Sequence, residues 1–181
     1  LALVGTDSPT YATEGEPFHL DLLDLATLTR RRLTTAPAQI AEPAFSPDGR
    51  RLVCAWQQAK SSLSTAKRDL ALFDLPDGAM RIVTRSLDVS IGDGIFGATE
   101  PVAFIDPGTL LVSTQHGLGD HVLEVSIPSG DDEPVLRWCT GGSWLHVGVA
   151  PQARKLIAIE SAPARPERVV GADWPGLRSE V

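Results

Sequence analysis

A six-residue phrase that returns along the chain constrains the fold more than any other feature. Ala44-Phe45-Ser46-Pro47-Asp48-Gly49 comes back 59 positions later as Ala103-Phe104-Ile105-Asp106-Pro107-Gly108, and more faintly as Gly148-Val149-Ala150-Pro151-Gln152-Ala153. Each copy leads into an apolar run: Leu52-Val53-Cys54, Leu110-Leu111-Val112 and Leu156-Ile157-Ala158. Two further pairs repeat elsewhere in the unit. Phe73-Asp74-Leu75-Pro76-Asp77-Gly78 is echoed by Val125-Ser126-Ile127-Pro128-Ser129-Gly130 at an offset of 52, and Leu20 to Leu25 matches Leu70 to Leu75 at an offset of 50. A period of this length marks an array of one supersecondary unit whose copies must pack on each other.

The unit itself is built of short strands. Ser46-Pro47-Asp48-Gly49 is a turn for stated reasons: Pro presets φ at the second position, Asp bonds nearby backbone, and Gly takes φ > 0. It joins Pro43-Ala44-Phe45 to Arg51–Trp56, making a hairpin. Asp69–Leu75, the turn Pro76-Asp77-Gly78 and Met80–Thr84 supply a third and a fourth strand. Gly 16 and Pro 14 make up about 17% of the 181 residues, against an ordinary share of about 12%, so long helices have little room. Even the longest Pro-free stretch, 48–75, is broken by the polar Ser61-Ser62-Leu63-Ser64-Thr65 and reads as two strands and a loop.

Four antiparallel strands in sequence form one meander, and four-stranded meanders arranged radially are the blades of a β-propeller. The reading is an all-β chain, a propeller fragment of about three to four blades at roughly 50 residues each. The first, 1–36, supplies only the last three strands of its blade. The second covers 40–86 and the third 98–140, and a fourth opens at 144 and runs to 181. The start at Leu1-Ala2-Leu3-Val4, without Met and already strand-like, suggests that further sequence lies upstream.

Charge and composition exclude several classes. Lys+Arg number 16 against 23 Asp+Glu, a net charge of −7, and a field of that sign repels phosphate backbones. No nucleic-acid partner is expected. No apolar run reaches the ~18 residues of a spanning helix and no basic stretch precedes an apolar one at the start, so no membrane role is expected and the cytoplasm is the default location. Asn is absent, which removes N-linked glycosylation. Cys54 and Cys139 stand 85 positions apart in apolar runs and read as buried reduced thiols.

The run Glu42-Pro43-Ala44-Phe45-Ser46-Pro47-Asp48-Gly49-Arg50-Arg51-Leu52-Val53, with Asp69–Leu75 as the next strand, resembles the repeat of TolB-type propellers. It also resembles the N-terminal propeller of prolyl-oligopeptidase-family serine peptidases, the dipeptidyl aminopeptidase and acylaminoacyl peptidase group. Blades of 50 to 59 residues favour the second, since compact blades run nearer 40 to 45. A WD40 propeller fits less well, for no Gly-His…Trp-Asp pair occurs. The peptidase resemblance implies a non-catalytic propeller that gates and positions short peptides for a C-terminal α/β-hydrolase domain outside this chain. The TolB resemblance implies a scaffold for protein partners with no hydrolase domain. A third class, propeller enzymes acting on sugars or lactones through channel-lining His and carboxylates, is the weakest of the three. A homo-oligomer is a further possible partner arrangement.

No catalytic, cofactor-binding or metal-ligating residue is assigned within the chain. A nucleophile elbow needs G-x-S-x-G, and Ser143 and Ser90 each have only one of the two glycines. Gly92-Asp93-Gly94-Ile95-Phe96-Gly97 spells G-x-G-x-x-G, but Ala98-Thr99-Glu100-Pro101 leads into a strand rather than the helix that would meet a pyrophosphate. It reads as an inter-blade loop. His116, Asp120 and His121 sit across a hairpin and could converge on zinc, yet exposed hairpin polar residues are commoner. Glu42 and Glu100 precede equivalent first strands and suggest a shared structural task. Arg30-Arg31-Arg32 and Asp131-Asp132-Glu133 read as solvated sheet edges that discourage pairing. Trp56, Trp138, Trp144 and Trp174 read as core or inter-blade packing.

Overall fold

The computed structural model describes residues 1–5, 18–36, 38–58, 67–91, 102–116, 119–128, 132–139, 143–162 and 164–173. Its strands are β1 (Ala2–Gly5), β2 (His19–Leu23), β3 (Arg30–Arg32), β4 (Ala38–Phe45), β5 (Arg51–Gln58), β6 (Asp69–Asp74), β7 (Ala79–Ile82) and β8 (Ser90–Ile91). They continue with β9 (Val102–Asp106), β10 (Thr109–His116), β11 (Gly119–Ser126), β12 (Val135–Trp138), β13 (Ser143–Ala150), β14 (Lys155–Ala162) and β15 (Arg165–Asp173). The single helical turn among the described residues is a 3-10 piece at Pro151–Ala153, where the third copy of the turn phrase stands.

The strands form four antiparallel sheets: β1-β2-β3, β4-β5-β6-β7, a third with β12-β11-β10 in order, and β13-β14-β15. On its far edge β10 pairs with two pieces at once, β9 along Thr109–Val112 and β8 at Thr114–Gln115. Ser90–Ile91 thus belongs to the third sheet, a strand the alternation did not reveal because two residues carry no period.

The turn phrase folds as its chemistry requires. Gly49 has φ 70°. The Ser46 hydroxyl donates to Asp48 Oδ1 at 2.6 Å and accepts from the Arg51 amide at 2.9 Å, while Asp48 Oδ1 also accepts from the Arg50 amide at 3.1 Å. The Ser46 hydroxyl and then the Arg50 amide hold the Asp48 carboxyl below the usual carboxylate range. Gly78, at φ 77°, closes the β6–β7 turn. Glu42, expected just ahead of a first strand, lies inside β4, whose register shifts between Ala41 and Ala44, and adopts φ 57° there. A bulge of this kind bends the strand and increases its twist.

Alternation decides which sheet each side chain meets. On β5, Leu52, Cys54 and Trp56 join Leu20, Ala38, Ile40, Ala71 and Phe73 in a core between the first and second sheets. Val53 and Ala55 point the other way and, with Leu70 and Leu72, meet Leu110, Val112, Leu123 and Val125 of the third sheet. Leu111 and Val122 then face Trp144, Leu156, Ala158, Val170 and Ala172 of the fourth. The second and third sheets are covered on both faces, which is why β5 and β6 read as nearly continuous apolar runs.

A second repeat, in hydrogen bonds, underlies the offset of 50. The Leu20 amide donates to buried Thr34 Oγ1 at 2.9 Å, and the Leu70 amide to buried Thr84 Oγ1 at 3.0 Å. Beside them, the Leu33 amide reaches the Leu20 carbonyl and the Val83 amide the Leu70 carbonyl, both at 2.8 Å. The pairs Leu33-Thr34 and Val83-Thr84 therefore end equivalent outer strands, each tying its chain back to the strand before it.

Candidate functional site

The face of the first sheet turned away from the second carries a polar cluster of His19, Asp21, Arg30 and Arg32. Because Leu20 and Leu22 turn inward, His19 and Asp21 of β2 face outward, yet Asp21 is only 1% exposed. Its register partner Arg32 and the neighbouring Arg30, both on β3, explain this. Arg30 Nη2 lies 2.5 Å from Asp21 Oδ2 and 2.9 Å from His19 Nε2, and Arg32 Nε lies 3.4 Å from Asp21 Oδ1. His19 Nε2 is 3.3 Å from the same carboxylate.

Burying a carboxylate costs several kcal/mol unless it is paired, and two half-exposed guanidiniums supply the pairing here. The cluster holds no hydroxyl or thiol nucleophile. What it can do is fix β3 against β2. The arginine run is therefore more than a solvated edge. Arg30 and Arg32 clamp Asp21, and Arg31, pointing the other way, donates to the Pro76 carbonyl of the second sheet. Asp21 went unsingled in the sequence because its partners lie nine and eleven positions away, but the match Leu20-Asp21-Leu22 to Leu70-Ala71-Leu72 marks it as the odd residue on its face.

A related clamp links the second and third sheets. Arg51 donates from Nη1 to the carbonyls of Pro107 and Ile127, each at 3.2 Å, and from Nη2 to that of Pro128 at 2.9 Å. Pro76 and Pro128 occupy matching places in the repeat, so the first and second sheets each send an arginine to the same carbonyl of the next.

The other sequence candidates scatter. In the hairpin considered for zinc, Thr114 pairs with His121, Gln115 with Asp120 and His116 with Gly119. The side chains of His116 and Asp120 lie outside the described residues. His121 packs edge-on to Trp138, ring centroids 5.7 Å apart at 74°. Trp138 is 44% exposed, not core, because it stands on the outermost strand of its sheet; Trp56 and Trp144 are buried between sheets. Trp174, Glu100, Asp131 and the run Gly92–Gly97 lie outside the described residues, and Asp132 and Glu133 are exposed. Ser90 Oγ accepts from the Arg68 amide at 3.1 Å, a structural bond.

Both thiols are free. Cys54 is buried, and burial pushes its thiol up to about 12; Cys139 is only half-buried, and burial pushes it up to about 11. Cys139 departs from the expectation of full burial because it follows β12 at the outer edge, where sheet 4 covers one side only.

No protein-family model and no curated protein sequence matches the chain. Solved structures do. The crystal structure of puromycin hydrolase (S511A mutant complexed with PGG) matches with a TM-score of 0.69 at 19% identity, over 97% of this chain and 25% of that one. A puromycin-hydrolyzing peptidase of Mycobacterium tuberculosis matches at 0.64 and 13% identity, over 91% and 24%. TolB from Acinetobacter baumannii matches at 0.59 and 16% identity, over 93% and 38%. The chain thus spans between about a quarter and two fifths of the lengths of these three proteins. At such identities the likeness is one of fold, and the fold is that of a β-propeller fragment.

Proposed function

We propose that this chain is the non-catalytic propeller portion of a serine peptidase acting on short peptides, and that it gates and positions substrate for an α/β-hydrolase domain carried outside residues 1–181. The observation that supports the reading best is the order of the structural likenesses. The two puromycin-hydrolysing proteins superpose at 0.69 and 0.64, above the 0.59 and 0.55 of the two TolB structures, over nearly the whole chain and about a quarter of theirs. The sequence has no G-x-S-x-G, so on this reading the nucleophile, its base and the oxyanion donors belong to the hydrolase domain.

A second reading, a TolB-like scaffold for protein partners, draws on the two TolB likenesses and on the Phe45-Ser46-Pro47-Asp48-Gly49 turn. The parent reading frame separates the two. A G-x-S-x-G elbow within a few hundred codons after Val181 supports the peptidase, and a stop codon after further repeats alone removes it. As a biochemical check, purified 1–181 should not hydrolyse aminoacyl or acylaminoacyl chromogenic substrates, and turnover by it would overturn the assignment of chemistry to another domain.

A further inference from the structure

Three arginines stand at one place in the repeat. Arg31 of β3, Arg81 of β7 and Arg137 of β12 are the register partners of Leu22, Leu72 and Glu124, which hold matching positions on the strands before them. Leu22 packs toward the second sheet and Leu72 toward the third, so Arg31 and Arg81 each turn to the sheet that follows their own.

Two of the three have an acceptor. Arg31 donates to the Pro76 carbonyl of the second sheet, and Arg137 Nη2 donates to Glu124 Oε2 at 2.7 Å. Neither solution is open to Arg81. Leu72 stands where the third sheet has Glu124, and the Pro128 carbonyl, the match of Pro76, accepts from Arg51 Nη2 at 2.9 Å. The Nε–H of Arg81 is buried and reaches no acceptor among the described residues. Its Nη2 lies 4.0 Å from Asp74 Oδ2, too long for a hydrogen bond, and the other oxygen of Asp74 faces Arg51 Nε at 3.5 Å. A buried donor without an acceptor is costly, the more so on a charged group. The side chain as a whole is 29% exposed, so one side of the guanidinium is open although Nε is not.

We propose that Arg81 is the recognition residue of a site for a small oxyanion, a carboxylate or a phosphate, where β7 faces the third sheet. A guanidinium presents Nε–H and one Nη–H side by side, and two oxygens of a carboxylate or phosphate match that edge bidentately. No hydrogen bond from Nε holds the fork in its present rotamer. Turning it to the open side exchanges the orphaned N–H for two charge-assisted bonds. Asp74 repels the anion, so binding is weak, with dissociation on the order of 1 mM. Both sheets that form the site belong to the described chain, and the proposal does not rest on the peptidase reading.

Titration of the purified protein with phosphate and with acetate, ionic strength held constant with chloride, tests it and separates the two oxyanions. The readout is the arginine Nε–H signals in proton–nitrogen correlation spectra, with the Arg81 signal identified by its loss in Arg81→Gln. Expected is a saturable shift of that signal with at least one of the two anions, and a matching rise in Tm that Arg81→Gln abolishes. Arg81→Lys weakens binding about tenfold because an ammonium lacks the fork, Asp74→Asn tightens it, and Arg50→Gln, which removes an exposed arginine of the turn phrase, leaves it unchanged. Urea unfolding confirms that each variant is folded. No saturable shift with either anion, an equal shift with chloride alone, or a rise in Tm that persists in Arg81→Gln overturns the proposal.

Discussion

Arg51 and Pro128 lie 77 positions apart in the sequence and 2.9 Å apart at the guanidinium–carbonyl contact. With Pro107 and Ile127 on the same side chain, one arginine satisfies three carbonyls of the neighbouring sheet. It does for the second and third sheets what side chains in a single core cannot, fixing the height of one sheet against the other.

Arg51→Ala should therefore destabilise the chain by about 2 to 3 kcal/mol, since three carbonyls lose a charged donor. Arg51→Lys should recover only part of this, because an ammonium cannot reproduce the fork. Urea unfolding measures both, and a loss below about 0.5 kcal/mol for the alanine variant would mean that water replaces the clamp.

Thr84 is fully buried; its hydroxyl accepts from the Leu70 amide and lies 3.1 Å from Asp69 Oδ1, to which it donates. Thr84→Ala should cost about 1 to 3 kcal/mol by leaving a buried amide unpaired, and Thr84→Ser markedly less. Hydrogen exchange at the Leu70 amide should accelerate in the alanine variant only. The same pair of substitutions at Thr34, read at Leu20, tests whether the two sites are equivalent.

At the Asp21 cluster, Asp21→Ala strips Arg30 and Arg32 of their shared carboxylate. The guanidiniums are about half exposed and water solvates them in part, so the expected loss is about 2 kcal/mol rather than the 3 to 5 of a fully buried pair. A double cycle with Arg30→Ala should give a coupling energy near 1 kcal/mol or above; additivity would show that the contact carries no net energy.

The thiols set an alkaline limit. The Cys54 thiol is raised from 9.0 to about 12 and that of Cys139 to about 11, so the folded state holds its protons more tightly than the unfolded chain. Their contribution is complete below pH 9 and is lost as pH rises through 11 to 12. Cys54→Ala should flatten the fall of stability over that window. Native Cys54 should also resist iodoacetamide at pH 8, with Cys139 reacting slowly and faster as pH rises, a pattern mass spectrometry resolves.

The Ser46-Pro47-Asp48-Gly49 hairpin, the alternation in β2, β5 and β6, and the offsets between 50 and 59 could be read directly from the residues, because turn chemistry and the period of two are local properties. Two-residue β8 could not, and neither could the exposure of Trp138. A tryptophan in an apolar run looks the same whether its strand is central or outermost.

What the residues by themselves determined is the unit: an antiparallel meander, repeated, with turns of known chemistry and no nucleophile elbow. Tertiary structure alone decided which face of each sheet is covered, and therefore that Val53 is buried while Ile157 stands exposed, though both follow the same phrase. It also decided that an arginine run becomes a clamp on Asp21. The reason is physical: the chain's local preferences specify strands and their two faces, whereas covering a face or pairing a buried charge depends on which segment, tens of residues away, the packing brings opposite.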